Sequence, residues 1–217
     1  ALDVTLKTLN KNPEGEIVKL IDLMQKYMDG EKIDIDYDKA KQMVSDQDGT
    51  LNQYIHRLLD EVDPHVLKMT ALNLGYEAFF HGTKTIRKTR EVQKCNIPWL
   101  ILMDPTSACN LHCTGCWAAE YGNRLNLTFK EMDDIITQGK ELGIYFYMFT
   151  GGEPLVRKDD ILRLCEKHHD CAFLAYTNGT LVNEALCQEM VKLGNLYLAI
   201  SLEGFSEVND LRRGTGV

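Results

Sequence analysis

Long hydrophobic runs are absent from this sequence. No stretch approaches the ~18 uninterrupted apolar residues that a membrane-spanning helix requires, and the N-terminus lacks a basic region followed by an apolar core. These absences predict a cytoplasmic protein without a membrane span. Low-complexity tracts are also missing, and only 5 prolines occur in 217 residues, so a folded chain is expected rather than a disordered one.

An excess of positive charge is lacking as well. The formal net charge is −8, and the isoelectric point near 5.3 argues against nucleic-acid binding by the chain as a whole. Residues 84–94 nevertheless concentrate basic side chains, namely Lys84, Arg87, Lys88, Arg90 and Lys94. This segment is typical of the solvated face of a helix, and the alternative is a docking surface for an acidic partner.

The cysteines do not form the even set expected of a disulfide framework. There are 7 of them, and in a cytoplasmic chain of this size they indicate reduced thiols and metal ligands. Four are scattered and are interpreted as small apolar core residues, namely Cys95, Cys165, Cys171 and Cys187. The others form a CxxxCxxC array, Cys109, Cys113 and Cys116. Three thiolates on one loop can bind a soft metal centre and leave one coordination position open.

The hydrophobic period of the chain changes near residue 97. Before it, apolar residues follow a helical repeat, with Asn12 as a candidate N-cap and Pro13 at the first helical position. Further helices are predicted over residues 37–46 and 50–60 and from about Pro64. Residues 1–96 are therefore interpreted as an all-α N-terminal region.

After residue 97, short apolar runs alternate with amphipathic helices. The candidate strands are residues 99–103, 144–149, 172–176 and 196–201. Each is a near-continuous apolar run, as expected of parallel strands buried on both faces. The first helix between them opens with Thr128 and Glu131, a capping-box pair. Residues 97–217 are thus predicted to form an α/β domain with a parallel sheet, in a barrel or a doubly wound form.

Four unusual loops follow the four predicted strands. They are the cysteine array, residues 150–154, residues 177–179 and residues 202–204. Because ligands of parallel sheets gather at the carboxyl ends of the strands, we expect all four loops at one edge, where they form a single site.

The motifs in these loops resemble the core of the radical S-adenosylmethionine (SAM) superfamily. They are CNLHCTGC at 109–116, GGEP at 151–154, TNG at 177–179, SLEG at 201–204 and RRG at 212–214. The later motifs are most similar to the branch that contains peptide-modifying maturases, molybdopterin-precursor cyclases and haem-modifying enzymes. The resemblance covers about residues 97–217.

The resemblance implies that Cys109, Cys113 and Cys116 bind three irons of a 4Fe-4S cluster, and that the fourth iron holds SAM. A donor such as flavodoxin or ferredoxin reduces the cluster, and SAM is cleaved to methionine and a 5′-deoxyadenosyl radical that abstracts hydrogen from a substrate. The cofactor supplies this chemistry, while the protein supplies orientation and exclusion of water. The substrate, a peptide or a small molecule, is not identified by the sequence.

The resemblance also implies cofactor-binding roles outside the array. Glycines in the loop after strand two would bring bare backbone to the methionine end of SAM, because glycine permits close approach. The candidates are Gly151, Gly152, Glu153, Pro154, Asn178, Ser201 and Glu203, with Trp117 for the adenine and Arg212 or Arg213 for the carboxylate. Ordinary turns are the alternative interpretation of the three later loops.

The family core has six strand–helix units, whereas four strands are predicted here. The expected fold class is therefore a partial parallel (β/α) barrel of the radical SAM type, preceded by the all-α region. A partial sheet leaves strand four as an exposed edge. We thus expect either a fragment or a chain whose barrel is completed by a partner.

Two other classes of function remain open at this stage. A structural zinc site also uses Cys-rich loops and needs a fourth ligand, for which His112 or a scattered cysteine is a candidate. The second class is an iron–sulfur electron-transfer or interaction module without SAM turnover. The Gly-Gly-Glu-Pro loop argues against pure electron transfer, which needs no cradle for a ligand.

Overall fold

The computed structural model describes residues 12–28 and 36–217. The chain divides into two compact units, residues 1–68 and residues 69–217. The sequence indicates a boundary near residue 97, where helices give way to strands. The boundary between the two compact units lies earlier, after residue 68, so the second unit also contains the helices of residues 69–96.

The first unit is helical in the residues described. Its helices are α1 (Pro13–Met28), α2 (Tyr37–Ser45), α3 (Thr50–Glu61) and the start of α4 (Pro64–Thr70). Asn12 Oδ1 accepts from Gly15 N at 3.2 Å, as predicted of an N-cap. Asn52 is 4% exposed, and its Nδ2 donates to Val44 O at 2.7 Å and to Glu14 Oε1 at 3.2 Å, which joins the three helices.

A π-helix (Ala71–Gly82) and α5 (Thr83–Gln93) precede the sheet in the second unit. The sequence predicts an ordinary α-helix here, but the structure has wider turns. The buried residues are Asn73, Ala78 and Gly82, spaced by five and four residues, which the wider turn aligns on one side. Tertiary contacts of these residues therefore decide the winding.

These helices lie at the amino ends of the strands. Asn73 Nδ2 donates to the carbonyls of His169 at 2.7 Å and Cys171 at 3.1 Å, just before the third strand. Trp99 Nε1, just before the first strand, donates to Ala78 O at 3.0 Å. The amino edge of the sheet is thus covered, and the carboxyl edge is left for the predicted site.

The sheet has four parallel strands in the order β1-β2-β3-β4. They are β1 (Leu100–Thr106), β2 (Phe146–Gly151), β3 (Ala172–Thr177) and β4 (Leu196–Ile200). The connecting helices are α6 (Phe129–Glu141), α7 (Lys158–Lys167) and α8 (Glu184–Leu193), and α9 (Ser206–Arg213) follows β4. Each strand lies beside its predecessor, as in a (β/α) barrel, whereas a doubly wound sheet reverses direction. The fold-class prediction is confirmed: four parallel strands follow an all-helical region.

The hydrophobic core lies between the sheet and its connecting helices. Rings of Phe149 and Phe173 stack with centroids 5.8 Å apart, and Tyr147 stacks on Phe173 at 5.8 Å. The Tyr147 hydroxyl donates to Ile144 O at 2.8 Å and lies 3.0 Å from Ile136 O, so its polar end is satisfied inside the core. The predicted capping box at Thr128 and Glu131 opens α6.

The other face of the sheet and the last helix expose apolar side chains. Leu102 is 52% exposed, and Phe205 and Leu211 are 92% and 82% exposed. Within the described part of the chain, β4 pairs only with β3. No helix in that part is both long and apolar enough to cross a membrane.

Candidate radical SAM site

The loop that carries the three cysteines leaves the carboxyl end of β1. Cys109, Cys113 and Cys116 are each partly buried. Burial raises the pKa of the Cys109 thiol, the Leu111 N–H that lies 3.4 Å from its Sγ opposes this, and the charges of Glu153 and the other two thiols raise it further. The surroundings of Cys109 therefore favour its neutral thiol over the thiolate.

These residues fit an iron–sulfur cluster by the chemistry of their donors. Cysteine thiolates are the usual ligands of such clusters, and three thiolates that bind three different irons surround the cluster instead of meeting at one point. Among residues 12–28 and 36–217, no three His, Cys, Asp or Glu side chains are grouped as ligands of a single metal ion.

Two backbone hydrogen bonds join the cysteine loop to the loop after β2. Gly152 N donates to Thr106 O at 2.9 Å, and Glu153 N donates to Ala108 O at 2.8 Å. Gly151 has a φ of 106°, which glycine adopts readily. A Cβ on Gly152 would lie 2.1 Å from Ala108 O. The glycines thus permit contact between two backbones, and their predicted contact with SAM stays a prediction.

Glu153 is fully buried, with 1% of its surface exposed. Its Oε1 accepts from Leu155 N at 2.9 Å and from the Thr177 hydroxyl at 2.7 Å, and its Oε2 accepts from Asn178 N at 2.8 Å. A buried carboxylate is costly unless it is hydrogen-bonded, and these three donors offset that cost. The side chain therefore ties the end of β3 to the loop after β2.

Replacement of this carboxylate by an amide, Glu153→Gln, is expected to destabilise the second unit by about 2 kcal/mol. The amide group presents an NH₂ to at least one of the three donors, which loses its acceptor. Urea unfolding of the apo-protein measures the change. Glu166→Gln, on the exposed side of α7, is the matched control and should shift the free energy of unfolding by less than about 0.5 kcal/mol. Equal stability of the two variants would contradict the expectation.

Asn178 reaches across to the cysteine loop. Its Nδ2 donates to Asn110 Oδ1 at 2.9 Å, and Asn110 Nδ2 donates to the Thr180 hydroxyl at 2.7 Å. Asn178 Oδ1 also accepts from Thr180 N at 2.9 Å. The amide therefore holds the residue next to Cys109, a second connection between the loops after β1 and β3.

The loop after β4 brings Ser201 and Glu203 to the same edge. Ser201 N donates to Thr177 O at 2.9 Å, which extends the pairing with β3. The Glu203 carboxylate accepts a hydrogen bond from Arg213 and lies 3.3 Å from Arg212 Nε. Both arginines lie in α9 and pair with Glu203, and their predicted pairing with the SAM carboxylate stays a prediction.

The end of α9 also contacts the cysteine loop. Thr114 N, between the second and third cysteines, donates to Arg212 O at 2.7 Å. The loop is consequently held from three sides, by the segments that follow β2, β3 and β4.

A cavity of about 560 Å³ adjoins the cysteine loop. Two predicted site residues line it, Gly151 and Trp117. Trp117 begins a 3₁₀ helix (Trp117–Arg124) and is 59% exposed. Pro154, in contrast, is buried at the start of a second 3₁₀ helix (Pro154–Arg157). The structure thus brings the predicted residues to one edge but gives some of them internal bonding roles.

Sequence reasoning missed several residues that hold the site together. Arg157 Nη1 donates to Pro105 O at 3.2 Å and to Leu127 O at 2.9 Å, although these partners are distant in sequence. Asn110 is part of the cysteine array, so its position was a signal that could have been used. Nothing in the local pattern around Arg157 indicates its contacts.

The family is established by comparison with known proteins. The model of the radical SAM superfamily matches residues 103–217, more than half of the chain. This chain belongs to the radical SAM superfamily.

Curated relatives agree with this assignment. Fe-coproporphyrin III synthase of Methanosarcina barkeri is 31% identical over 120 residues, which are 53% of this chain and 30% of the relative. Mycofactocin maturase MftC of Mycobacterium tuberculosis is 31% identical over 124 residues, which are 55% of this chain and 31% of the relative. The chain spans less than a third of the length of these two relatives.

Solved structures share the fold. Streptococcus suis SuiB bound to S-adenosylmethionine superposes with a TM-score of 0.52 at 21% identity, over 79% of this chain and 40% of SuiB. SuiB bound to its precursor peptide SuiA gives a TM-score of 0.52 at 22% identity, over 62% of this chain and 31% of SuiB.

Proposed function

We propose that this chain carries the cluster-binding and SAM-binding part of a radical SAM enzyme. The observation that supports the proposal most directly is the bonding of the cysteine loop to the Gly151–Gly152–Glu153 backbone at the carboxyl edge of the sheet. That contact brings the loop that carries the three cysteines against a glycine-rich segment, and SAM bound at an open iron would have to contact both.

In this proposal Cys109, Cys113 and Cys116 hold a 4Fe-4S cluster, and the cluster supplies the electron that cleaves SAM to a 5′-deoxyadenosyl radical. The loop after β2 orients the methionine end of SAM through backbone groups. Glu153 and Asn178 hold that loop and the cysteine loop in a fixed relative position through their hydrogen bonds. Trp117 provides an aromatic surface for the adenine. Ser201 and Glu203 form the far side of the SAM site.

The proposal includes partners as well. An electron donor such as flavodoxin or ferredoxin reduces the cluster, and further strands, from the same protein or a partner, cover the free edge of β4. Residues 97–217 are proposed as the catalytic part. Of the helical N-terminal region of residues 1–96, residues 69–96 belong to the same compact unit as the sheet. The relatives include a synthase of Fe-coproporphyrin III and a mycofactocin maturase, so both small-molecule and peptide substrates are compatible.

Anaerobic reconstitution tests the proposal. The protein, incubated with iron, sulfide and reductant, is expected to become brown with about four irons per chain. Addition of dithionite and SAM is then expected to release 5′-deoxyadenosine. A colourless protein that holds one zinc would disprove cluster binding. A fully clustered protein that releases no 5′-deoxyadenosine would disprove SAM cleavage by this chain.

A further inference from the structure

Asp104 and Arg124 form a polar wall of the cavity next to the cysteine loop that the proposed SAM contacts do not use, whereas Gly151 and Trp117, which also line the cavity, are among those contacts. The cavity lies against the carboxyl end of β1 and the antiparallel segment that pairs with it through Thr106 and Asn126. The lining residues with charged, aromatic or large apolar side chains are Asp104, Trp117, Arg124, Leu125 and Leu127. One acidic and one basic side chain therefore border a partly apolar space.

Asp104 lies on the face of β1 opposite the core, at the start of an irregularity in the strand. The pairing with β2 shifts register between Met103 and Thr106, which inserts an extra residue at Asp104-Pro105. Bulges re-aim side chains and occur near active sites. Met103 is 4% exposed in the core, so the next side chain along the strand lies on the opposite face, where the cavity is.

No hydrogen bond or ion pair joins the Asp104 carboxylate to another residue of the described segments. Burial raises its pKa, because the surrounding protein removes part of its hydration. Asp104 is exposed and faces the open cavity, so a cation or a hydrogen-bond donor of a ligand can reach its carboxylate.

Arg124 and Trp117, which also line the cavity, indicate which chemical groups such a ligand should have. Arg124 also lines the cavity, and within the described segments it has no ion-pair partner, so it can bind a carboxylate. The indole of Trp117 attracts cations over its face and accepts apolar groups. A ligand that satisfies all three side chains has a positive group, a negative group and an apolar or planar part.

We propose that this cavity is a substrate subsite for an amino-acid-like group, in which Asp104 binds an ammonium or guanidinium and Arg124 binds a carboxylate. The inference rests on the proposed function, because it places the substrate beside the SAM site. Trp117 forms the boundary between the two ligands.

The experiment uses the two tryptophans as reporters. The indole N–H signal of ¹⁵N-labelled Trp117 is followed during titration of the apo-protein with N-acetylarginine, N-acetylcitrulline and N-acetylargininamide. Trp99, whose Nε1 is bonded to Ala78 O at the amino edge of the sheet, is the internal control. N-acetylarginine is expected to shift the Trp117 signal. It should bind about fivefold or more tightly than N-acetylcitrulline, which lacks the positive charge, and than N-acetylargininamide, which lacks the carboxylate.

Variants assign the two charges separately. Asp104→Asn should remove the preference for N-acetylarginine over N-acetylcitrulline, and Arg124→Gln should remove the preference over N-acetylargininamide. Asp48→Asn, which deletes an equal charge in the first unit, should keep both preferences. Absence of a Trp117 shift, or preferences that survive Asp104→Asn and Arg124→Gln, would overturn the inference.

A competition with SAM separates the subsite from the SAM site. In the clustered protein without reductant, saturating SAM is expected to leave N-acetylarginine bound. Displacement of the probe would show that SAM itself occupies the cavity and would overturn the proposal of a substrate subsite. The apo-protein titrations need neither cluster nor SAM. They therefore test the subsite even if the protein fails to bind a cluster or to cleave SAM.

Discussion

Replacement of any one of Cys109, Cys113 and Cys116 by serine is expected to abolish iron binding and 5′-deoxyadenosine release. Loss of an outer residue that only orients a metal ligand lowers metal affinity about 10- to 100-fold, so loss of a ligand itself should lower it by about 100-fold or more. Serine keeps the size of the side chain but lacks the thiolate that iron–sulfur clusters require. Iron content, visible absorbance and 5′-deoxyadenosine measure the loss after anaerobic reconstitution.

The control is Cys187→Ser, since Cys187 is also a free cysteine and lies exposed on α8. The core position predicted from the sequence is wrong for Cys187 and for Cys95, which are both exposed, and right for the buried Cys165 and Cys171. The Cys187→Ser variant should retain the iron content of the wild type. The apo-proteins of all four variants should have the same free energy of unfolding within about 0.5 kcal/mol, because none of the four cysteines belongs to the buried core. A Cys113→Ser variant with full iron content and full 5′-deoxyadenosine release would disprove the assignment of the array.

Replacement of Gly152 by alanine is expected to have the second-largest effect. The new Cβ would lie 2.1 Å from Ala108 O and 2.5 Å from Ala108 C, both backbone atoms. The loops after β1 and β2 must then separate, which breaks the hydrogen bonds to Thr106 and Ala108. Overpacking of this kind costs about 3 kcal/mol, and the displaced cysteine loop should also bind less iron.

Urea unfolding of the apo-protein and iron content after reconstitution measure the two parts of this effect. Gly75→Ala is the matched control, because a Cβ at Gly75 meets no atom within 4 Å. That change lies in a helical segment and should be neutral or stabilising by up to about 1 kcal/mol. If Gly152→Ala were as stable as Gly75→Ala and bound as much iron, the close contact between the loops would be disproved.

Much of the fold follows from the local pattern of the sequence. The parallel strands are apolar runs, and two of the three crossover helices carry a recognisable start or stop, namely Thr128 with Glu131 in α6 and the left-handed Gly194 after α8. These signals depend on neighbouring residues, so they can be read without tertiary information. The π-helix could not be read this way, because its winding depends on buried contacts of Asn73 with the carbonyls before β3.

The residues of the site also divide into those that local sequence reveals and those whose role depends on tertiary contacts. The cysteine array and the glycine-rich loop are visible as short motifs because each does its work within a few residues. The roles of Arg157, Asn110 and the α9 arginines are decided by partners far away in sequence, and Arg213 pairs with Glu203 only because α9 returns to the sheet edge. Side-chain identity alone does not say whether such a residue contacts a ligand or another part of the protein.

The sequence by itself thus determined the radical SAM family and the candidate centre: a CxxxCxxC array, a glycine-rich partner loop and a parallel sheet to carry them. Tertiary structure alone decided how the array is held. The glycines contact the backbone of the cysteine loop, and Glu153 bonds donors from two loops. The reason is physical, because metal ligation needs particular atoms at short spacing, whereas the support of those ligands needs hydrogen-bonded contacts between distant segments that only the folded chain brings together.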